Sequence, residues 1–558
     1  MKNNRNTSEK NLLLLVLFLF IIVYLTPLGI RPMVTPDEPR YAEIAREMIA
    51  SGNWISAHLN GVRYLEKPVM GFWSIACAMK LFGVNSFSAR LPSALAAGLT
   101  GLLLFYLVRR ETQDRYSALL AAVIFLTFGM VYVLGTFCIP DAVFTLFVAA
   151  TLIFFFFSYR EQHLTKKVLF LSLAGVFLGF GFLTKGLVAL AIPVLVVIPF
   201  MIWERRFVDL LKTFWIPLVA AVIVALPWSI LIHFENSDFW HYFVWVSHIA
   251  RFTGEESSTN LHTEPFWYYL PILLGGTLPW SVLLPSVVSG TKREHLTMPL
   301  FRFSLCWLIF PLVFFSISSG KLGTYILPLM PAAALLFTIG LVSFFQTAQN
   351  RSFSYSAVFL GAALGMIALY LIVASFFNNP EISLFSGEEW PKRAAAVIGV
   401  GVWSLLLIAI SRAKKLKAAA LIFAAAPLCL LISSSFIFPD IIKTHTVPDD
   451  FYAEYHREIE PGSTVMGYKH SAYIASWYLQ RDDIFFYINP GVLEYGLAQA
   501  GDMDRLIDIH ELPVIVAEKS HNEPLYLFLK TKEYERYFDY LPEPVSIDSY
   551  GDFMILKF

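Results

Sequence analysis

The stretch LLLLVLFLFIIVYLTPLGI, at residues 12–30, is almost wholly apolar. A helix needs about 20 predominantly apolar residues to span the hydrocarbon core of a bilayer. Lys2, Arg5 and Lys10 precede the stretch, which is too long for the apolar core of a signal peptide and lacks a small-residue cleavage site. We therefore predict an uncleaved first transmembrane helix with a cytoplasmic N-terminus.

Later segments share this length and hydropathy, and together they predict a polytopic α-helical membrane protein with about 13 transmembrane helices. The predicted spans are residues 12–30, 86–108, 117–135, 139–158, 168–184, 187–203, 214–233, 266–288, 300–317, 323–345, 354–377, 394–411 and 418–437. The composition agrees, because only 15% of the 558 residues are charged, whereas about 25% are charged in soluble domains. Basic pairs such as Arg109-Arg110 and Lys414-Lys415 fall in the loops that are cytoplasmic in this topology. The odd number of spans places the C-terminus outside.

The overall charge and the cysteines exclude some classes of function. The net charge is zero, so no bulk attraction to nucleic acid is expected. The four cysteines lie in apolar stretches without a CxxC pair. They are therefore interpreted as small buried hydrophobic residues rather than ligands or redox groups.

Three parts of the chain are predicted to lie outside the membrane, and one of them is the interfacial stretch at about 234–265. Residues 31–85 form the first exofacial loop of a membrane domain at 1–438, with helices at 39–50 and 69–82 lying along the interface. The charged residues 439–558 predict a small exofacial α/β domain in a supporting role. Its predicted strands lie at residues 464–468, 484–488, 513–517 and 553–557, and its predicted helices at 504–510 and 532–540.

Charged residues at the edge of the membrane are the candidates for chemistry, because ionisable groups are costly there. The first exofacial loop begins with TPDEPRY at residues 35–41. Asp37 and Glu38 are able to cap the following helix. Two adjacent carboxylates followed by Arg40 and Tyr41 nevertheless exceed what capping requires, so Asp37 is a catalytic candidate and Arg40 a substrate-binding candidate.

Several cations and one further carboxylate extend this candidate site. Lys67, Arg251 and Lys321 are able to form a cationic cradle for a phosphodiester, and the alternative for Lys67 is a snorkelling lysine. Asp141, at an outer turn between two spans, is either a helix cap or a second catalytic carboxylate.

A divalent metal, zinc by ligand type, is the one cofactor that these residue types suggest. Its candidate ligands are Glu66, His248, His58 and His262, but no spacing motif supports a metal site. Ordinary hydrogen bonding of these polar side chains is the more frequent arrangement.

Three runs resemble lipid A aminoarabinose transferases, which are GT-C glycosyltransferases related to the protein O-mannosyltransferases. The runs are VTPDEPRYAEIAREM at residues 34–48, GNWISAHLNGVRYLEKPVMGFW at 52–73 and KLGTYILPLMP at 321–331. The resemblance covers nearly the whole chain. It implies a pentosyltransferase that moves 4-amino-4-deoxy-L-arabinose from undecaprenyl phosphate to a lipid A phosphate at the periplasmic face of the inner membrane, giving resistance to polymyxin and other cationic peptides.

The resemblance also implies roles for individual residues. Asp37 matches the family's essential aspartate, and Asp141 matches its second acidic position. Lys67 and Arg251 match positions expected to bind the carrier phosphate. Tyr325 matches a tyrosine that lines the site, and Glu66 matches a possible metal ligand.

Two alternatives remain open from the residues themselves. The nearer one is another GT-C enzyme that uses a polyprenyl phosphate sugar but acts on a protein or glycan. The other is a lipid or sugar transporter without catalysis. The absence of a convincing internal repeat and the gathering of charges at one face argue against a transporter.

Overall fold

A computed structural model of the chain describes residues 17–253, 263–346, 351–377, 383–460, 462–519 and 523–558. Over these residues, nine helices are long and apolar enough to cross a membrane, and two bent helix pairs raise the number to 11. The nine are Ser86–Thr112, Asp141–Arg160, Leu164–Lys185, Phe207–Glu235, Pro299–Ile317, Gly323–Phe344, Arg351–Ala374, Trp390–Ile410 and Leu416–Ser433. The bent pairs are Arg115–Leu126 with Gly129–Gly135, and Phe266–Gly276 with Trp280–Gly290.

Every predicted span overlaps one of these helices or one of two shorter apolar helices. The shorter helices are Leu17–Gly29 and Val188–Trp203, which correspond to the predicted spans at 12–30 and 187–203. Residues 12–16 lie outside the described residues. The prediction of a polytopic α-helical membrane protein is confirmed.

The two bent pairs are fastened to each other at their breaks. The pairs bend by 64° and 95°. The Gly129 backbone N–H donates to the Leu278 carbonyl at 2.8 Å, and the Trp280 indole N–H donates to Thr127 Oγ1 at 2.8 Å. Each break leaves backbone groups without intrahelical partners, so these bonds satisfy polar groups that lipid cannot.

The chain forms two compact units. The first contains Met1–Ile30, Arg90–Ile230 and Val244–Ile437, and the second contains Arg31–Ala89, Leu231–Phe243 and Phe438–Phe558. The second unit therefore joins the predicted first exofacial loop to the C-terminal residues. The predicted division at residue 438, which assigned that loop to the membrane domain, stays a prediction.

Small residues allow close helix packing within the first unit. On the helix Leu164–Lys185, a Cβ atom added to Gly175 would lie 2.2 Å from the Pro217 carbonyl oxygen, and one added to Gly179 would lie 2.7 Å from Val224 Cβ of the same neighbouring helix. Glycines spaced four residues apart let two membrane helices approach closely enough for van der Waals packing. The helix ends at Lys185, because Gly186 adopts a φ of 67°.

The second unit contains a six-stranded mixed sheet and a short hairpin. The hairpin pairs β1 (His58–Leu59) with β2 (Val62–Arg63). The sheet order is β5-β4-β3-β6-β8-β7. Its strands are β3 (Thr464–Gly467), β4 (Phe485–Tyr487), β5 (Leu506–Ile507), β6 (Leu525–Lys530), β7 (Ser546–Tyr550) and β8 (Phe553–Lys557). The contacts of β3 with β4 and β6, and of β4 with β5, are parallel, whereas β8 pairs antiparallel with β6 and β7.

Helices of the second unit include two in the first loop, Asp37–Ser51 and Met70–Phe82, as predicted. Those after residue 438 are Asp440–Thr446, Asp449–Glu458, His470–Leu479, Glu494–Ala500, Leu512–Lys519 and Thr531–Tyr537. Strands β3, β4 and β8 and the last of these helices confirm predicted elements of the α/β domain.

Two predicted elements of that domain are wrong. Residues 513–517 lie in the helix Leu512–Lys519, not in a strand, and residues 504–510 contain the end of a 3₁₀ turn followed by β5. The β-branched residues of 513–517 raise strand propensity, but tertiary context overrides such local preferences. The central strand β6 was not predicted. Its residues are buried in succession and do not alternate as those of a half-exposed strand do.

The first loop and the C-terminal residues are bonded together inside the second unit. The fully buried Asn60 side chain donates to the Ile484 carbonyl at 2.7 Å and accepts from the Ile484 N–H at 3.0 Å. The Glu47 carboxylate accepts the backbone N–H groups of Asn60 and Gly61. The Thr35 N–H donates to the Thr446 carbonyl at 2.9 Å. These bonds fix the segment that carries Asp37.

Candidate active site

Asp37 is the first residue of the helix Asp37–Ser51 and lies at the surface of the second unit. Its side chain is 55% exposed and pairs with Arg40, three residues later, whose side chain is 12% exposed. Within the described residues, no side chain caps the N-cap position of this helix. The neighbouring Glu38 is buried and accepts hydrogen bonds from Arg31 and from the Val34 N–H. Capping therefore does not account for Asp37.

Tyr41 connects two cations of this cluster. Its hydroxyl accepts a hydrogen bond from Arg40 at 3.3 Å and another from the Lys67 ammonium. The Lys67 nitrogen also lies 4.4 Å from the centroid of the Tyr41 ring, a distance at which cations are attracted to the ring face. The structure thus brings Arg40 and Lys67 together, with Asp37 paired to Arg40.

Anionic and aromatic groups surround the Arg40 guanidinium. Burial lowers the pKa of Arg40, but Tyr41, Tyr64, Asp37 and Glu66 raise it, and the net pKa lies well above its usual value. The Tyr64 hydroxyl donates to Glu66 at 2.9 Å. Burial, followed by the charge of Glu66, raises the pKa of Tyr64 well above 10. The cluster therefore keeps a permanent positive charge beside neutral phenols.

The first unit holds the second predicted carboxylate. Asp141 begins the helix Asp141–Arg160, is 6% exposed, and accepts a hydrogen bond from the Lys185 ammonium at 2.7 Å. The Lys185 nitrogen lies 5.5 Å from the Phe144 ring centroid and 5.6 Å from that of Tyr325. Tyr325, which was predicted to line the site, and Asp141, which was predicted to be catalytic, therefore both lie beside Lys185.

The remaining predicted cations are placed differently. Lys321 is buried, and its ammonium donates to the Glu264 backbone carbonyl at 2.7 Å. Arg251 begins a short helical turn, Arg251–Thr253, and its side chain lies outside what the structure describes. The cradle of Lys67, Arg251 and Lys321 therefore stays a prediction.

The residues predicted as metal ligands do not form a cluster in the described part of the structure. Glu66 bonds to Tyr64, and the His248 Nε2 lies 3.2 Å from the Lys185 carbonyl oxygen. His262 lies outside the described residues. Among those that are described, no group of three or more His, Cys, Asp or Glu side chains is placed to hold a metal ion. The suggested zinc stays a prediction.

Two family models and several curated proteins match the chain. Residues 11–243 match dolichyl-phosphate-mannose-protein mannosyltransferase, and residues 443–557 match the C-terminal domain of arabinosyl transferase ArnT. A protein from Shewanella sediminis named undecaprenyl phosphate-alpha-4-amino-4-deoxy-L-arabinose arabinosyl transferase is 38% identical over 491 residues, covering 88% of each chain. A protein of the same name from Serratia proteamaculans is 36% identical over 93% of this chain and 92% of its own length. The chain belongs to this arabinosyl transferase family.

Solved structures agree with this membership at the level of the fold. The crystal structure of ArnT from Cupriavidus metallidurans bound to undecaprenyl phosphate has a TM-score of 0.80 and 21% identity, covering 98% of each chain. The arabinosyl transferase is thus a polytopic glycosyltransferase of the GT-C type, as its motif runs predicted. This membership contradicts the alternative of a transporter without catalysis, because the relatives are named as transferases.

Two residues near the candidate side chains were not singled out from the sequence, Tyr41 and His470. Tyr41 was noted only as a neighbour of Arg40. Lys185 was a candidate only in the general sense that ionisable residues within apolar segments are, and its pairing with Asp141 was not predicted. His470 has no signal in the sequence, because its helix reaches the helix Asp37–Ser51 only through the fold.

Proposed function

We propose that this arabinosyl transferase moves 4-amino-4-deoxy-L-arabinose from undecaprenyl phosphate to a phosphate group of lipid A. The names of its relatives support the sugar and the carrier. The observation that carries the proposal is the exposed Asp37 carboxylate held by Arg40, with Lys67 on the same tyrosine. Adding a cationic amine lowers the negative charge of the lipopolysaccharide, and so weakens the binding of polymyxin and other cationic peptides.

The proposed site of action is the periplasmic face of the bacterial inner membrane. The distribution of Lys and Arg between alternate loops supports a cytoplasmic N-terminus and a periplasmic first loop and C-terminal domain. A carrier with a polyprenyl chain suits this location, because the chain remains in lipid while its phosphate and sugar reach the surface.

In the proposed reaction, a lipid A phosphate oxygen attacks the anomeric carbon of the sugar. The bond between that carbon and the carrier phosphate oxygen breaks, and undecaprenyl phosphate leaves with the bonding electrons. Fixed cations that meet the charge developing on the leaving group are expected to contribute most to catalysis. We assign this role to Lys67 and Arg40, together with Arg251.

Asp37 is the proposed key carboxylate. A lipid A phosphate is largely ionised near neutral pH, so its attack requires positioning more than removal of a proton. The Asp37 carboxylate accepts a hydrogen bond from Arg40, so its negative charge is held in one position. A fixed negative charge suits stabilisation of an oxocarbenium-like sugar or recognition of its amine better than general base catalysis. Asp141, paired with Lys185, is the proposed second carboxylate, and Tyr325 the proposed neighbouring side chain that lines the site.

Mass spectrometry of lipid A tests the proposal. The gene is expressed in a Gram-negative strain that makes the donor lipid but lacks its own transferase. We expect aminoarabinose-modified lipid A with the natural sequence and none with Asp37→Asn. Asp440→Asn is a matched control, because Asp440 also begins a helix after a proline and pairs with a cation three residues later, Lys443.

The outcomes separate the candidate reactions. Full activity of a well-expressed Asp37→Asn variant would refute the role of that carboxylate. No new lipid A species, despite good membrane expression of the natural sequence, would refute the lipid A acceptor. It would favour a GT-C enzyme that uses a polyprenyl phosphate sugar to modify a protein or glycan.

A further inference from the structure

The helix His470–Leu479 of the C-terminal domain begins directly after one residue with a strained backbone and beside a second. Lys469, directly before it, has a φ of 47° and a ψ of −111°, and Ile488 has a φ of 62°. The Lys469 N–H donates to the carbonyl of Asn489, beside Ile488, at 2.9 Å. Positive φ angles are rare for residues other than glycine, above all for a β-branched residue. Such strain is concentrated at ligand-binding and catalytic segments.

This helix packs against the helix Asp37–Ser51 within the second unit. His470, its first residue, is half-buried, and its ring lies 5.8 Å from the Tyr473 ring in an edge-to-face arrangement. Its Nδ1 atom is buried and has no hydrogen-bond partner in the part of the chain that the structure describes. Because a buried polar atom without a partner is costly, this nitrogen requires an explanation.

Burial, together with the charged groups around it, lowers the pKa of His470. Burial is the largest cause of a pKa lowered to about 4, and the positive charges of Arg40 and Lys469 lower it further. Lys530 acts in the same direction, and Asp37 opposes them. The imidazole is therefore neutral near pH 7, with one nitrogen that donates and one that accepts.

We propose that His470 is a substrate-contacting residue of the Asp37–Arg40 cluster, where its imidazole hydrogen-bonds a hydroxyl group of the transferred sugar. The inference rests on the proposed function and extends it to the C-terminal domain. A hydroxyl group suits a neutral imidazole, because it both donates and accepts hydrogen bonds. The sugar ammonium is better matched by the Asp37 carboxylate than by a neutral imidazole, and the phosphate groups are matched by Lys67 and Arg40.

The test compares three variants of the full-length enzyme, assayed with the aminoarabinose carrier lipid and lipid A. His470→Leu keeps the packing but removes both nitrogens. His470→Asn returns a polar atom near the position of Nδ1. His456→Leu is the matched control, because His456 is an exposed histidine of the same domain.

We expect His470→Leu to lower kcat/KM by about tenfold or more, as for loss of a substrate hydrogen bond, with an unchanged Tm. His470→Asn should recover most of this loss, and His456→Leu should match the natural enzyme. Because the imidazole is neutral, the loss should be constant between about pH 6 and pH 8. Unchanged kcat/KM in His470→Leu, or equal losses in the Leu and Asn variants, would overturn the proposal.

A binding measurement separates this inference from the proposed function. The rise in Tm caused by the aminoarabinose-linked carrier is compared with that caused by undecaprenyl phosphate alone. We expect the extra stabilisation by the sugar to be lost in His470→Leu and kept in His470→Asn. If the natural enzyme fails to modify lipid A but keeps this difference, the acceptor proposal fails and the His470 proposal stands. If the extra stabilisation is the same in His470→Leu as in the natural enzyme, the His470 proposal fails.

Discussion

Replacing Asn60 with leucine should destabilise the second unit strongly, because Asn60 joins the first loop to the sheet. Its side chain is fully buried and exchanges two hydrogen bonds with the backbone of Ile484. Its φ of 53° is left-handed, a conformation that asparagine tolerates and leucine does not. Leucine has the same branched shape but could make neither bond.

The expected cost follows from these contacts. The Ile484 N–H would lose its asparagine acceptor while remaining buried, which costs about 2 kcal/mol. The Ile484 carbonyl would still accept from Arg505 at 2.7 Å, so loss of the second bond costs only about 1 kcal/mol. The left-handed backbone adds about 1 kcal/mol. The total is about 4 kcal/mol, equivalent to a fall in Tm of about 10 °C for a domain of this size.

Thermal unfolding of the purified full-length protein in detergent measures this change. Gln480→Leu is the matched control, because Gln480 has the same φ of 53° but is exposed. Its Tm should shift little, since exposed substitutions usually change stability by no more than about 0.5 kcal/mol. If Asn60→Leu shifts the Tm no more than the control, the bonds to Ile484 do not hold the unit together.

Two further predictions concern buried carboxylates. Lys185→Met should lower the free energy of unfolding by about 3–5 kcal/mol, because it leaves the Asp141 carboxylate buried without its cation. Adding Asp141→Asn should restore the Tm but not sugar transfer. An unchanged Tm in the single variant would contradict the pairing. Burial, followed by the charge of Glu43, raises the pKa of Glu47 in the folded protein well above its usual value. In the unfolded chain Glu47 loses its proton at lower pH, so the free energy of unfolding falls as the pH rises above about 4.3. The Tm of Glu47→Gln should therefore fall less between pH 5 and pH 8 than the Tm of the natural protein. Glu458→Gln, on the exposed surface, is the control and should behave like the natural protein. Parallel Tm curves for Glu47→Gln and the natural protein, or an equally reduced pH dependence in Glu458→Gln, would refute this.

The membrane helices were predictable because lipid imposes one simple requirement on every span. Each must satisfy its backbone internally and present apolar side chains over about 20 residues. Hydropathy therefore located even the two bent pairs, although it gave no sign of the breaks near Thr127 and Leu278. Those breaks depend on bonds between segments about 150 residues apart.

The candidate site was only partly predictable, for a similar reason. Asp37, Arg40 and Lys67 lie in two short motif runs, so the sequence places them near one another. The pairing of Asp141 with Lys185 joins residues 44 positions apart, and the packing of the helix His470–Leu479 against the helix Asp37–Ser51 joins distant segments. Neither contact has a local pattern. The strand wrongly predicted at 513–517 shows the converse, a local pattern without a matching contact.

The contacts of the first loop give the C-terminal domain a structural role beside the candidate site. Thr35, Glu47 and Asn60 are each fixed by buried or backbone bonds, and they flank the cluster formed by Asp37, Arg40 and Lys67. Fixed charges catalyse well only when they are held in place before the substrate binds, because reorientation during the reaction would consume the stabilisation that they provide. Thr35 and Asn60 take their partners from residues after 438. The C-terminal domain therefore contributes to the rigidity of the first loop, and a change at Ile484, directly before β4, should reach the candidate cluster through Asn60.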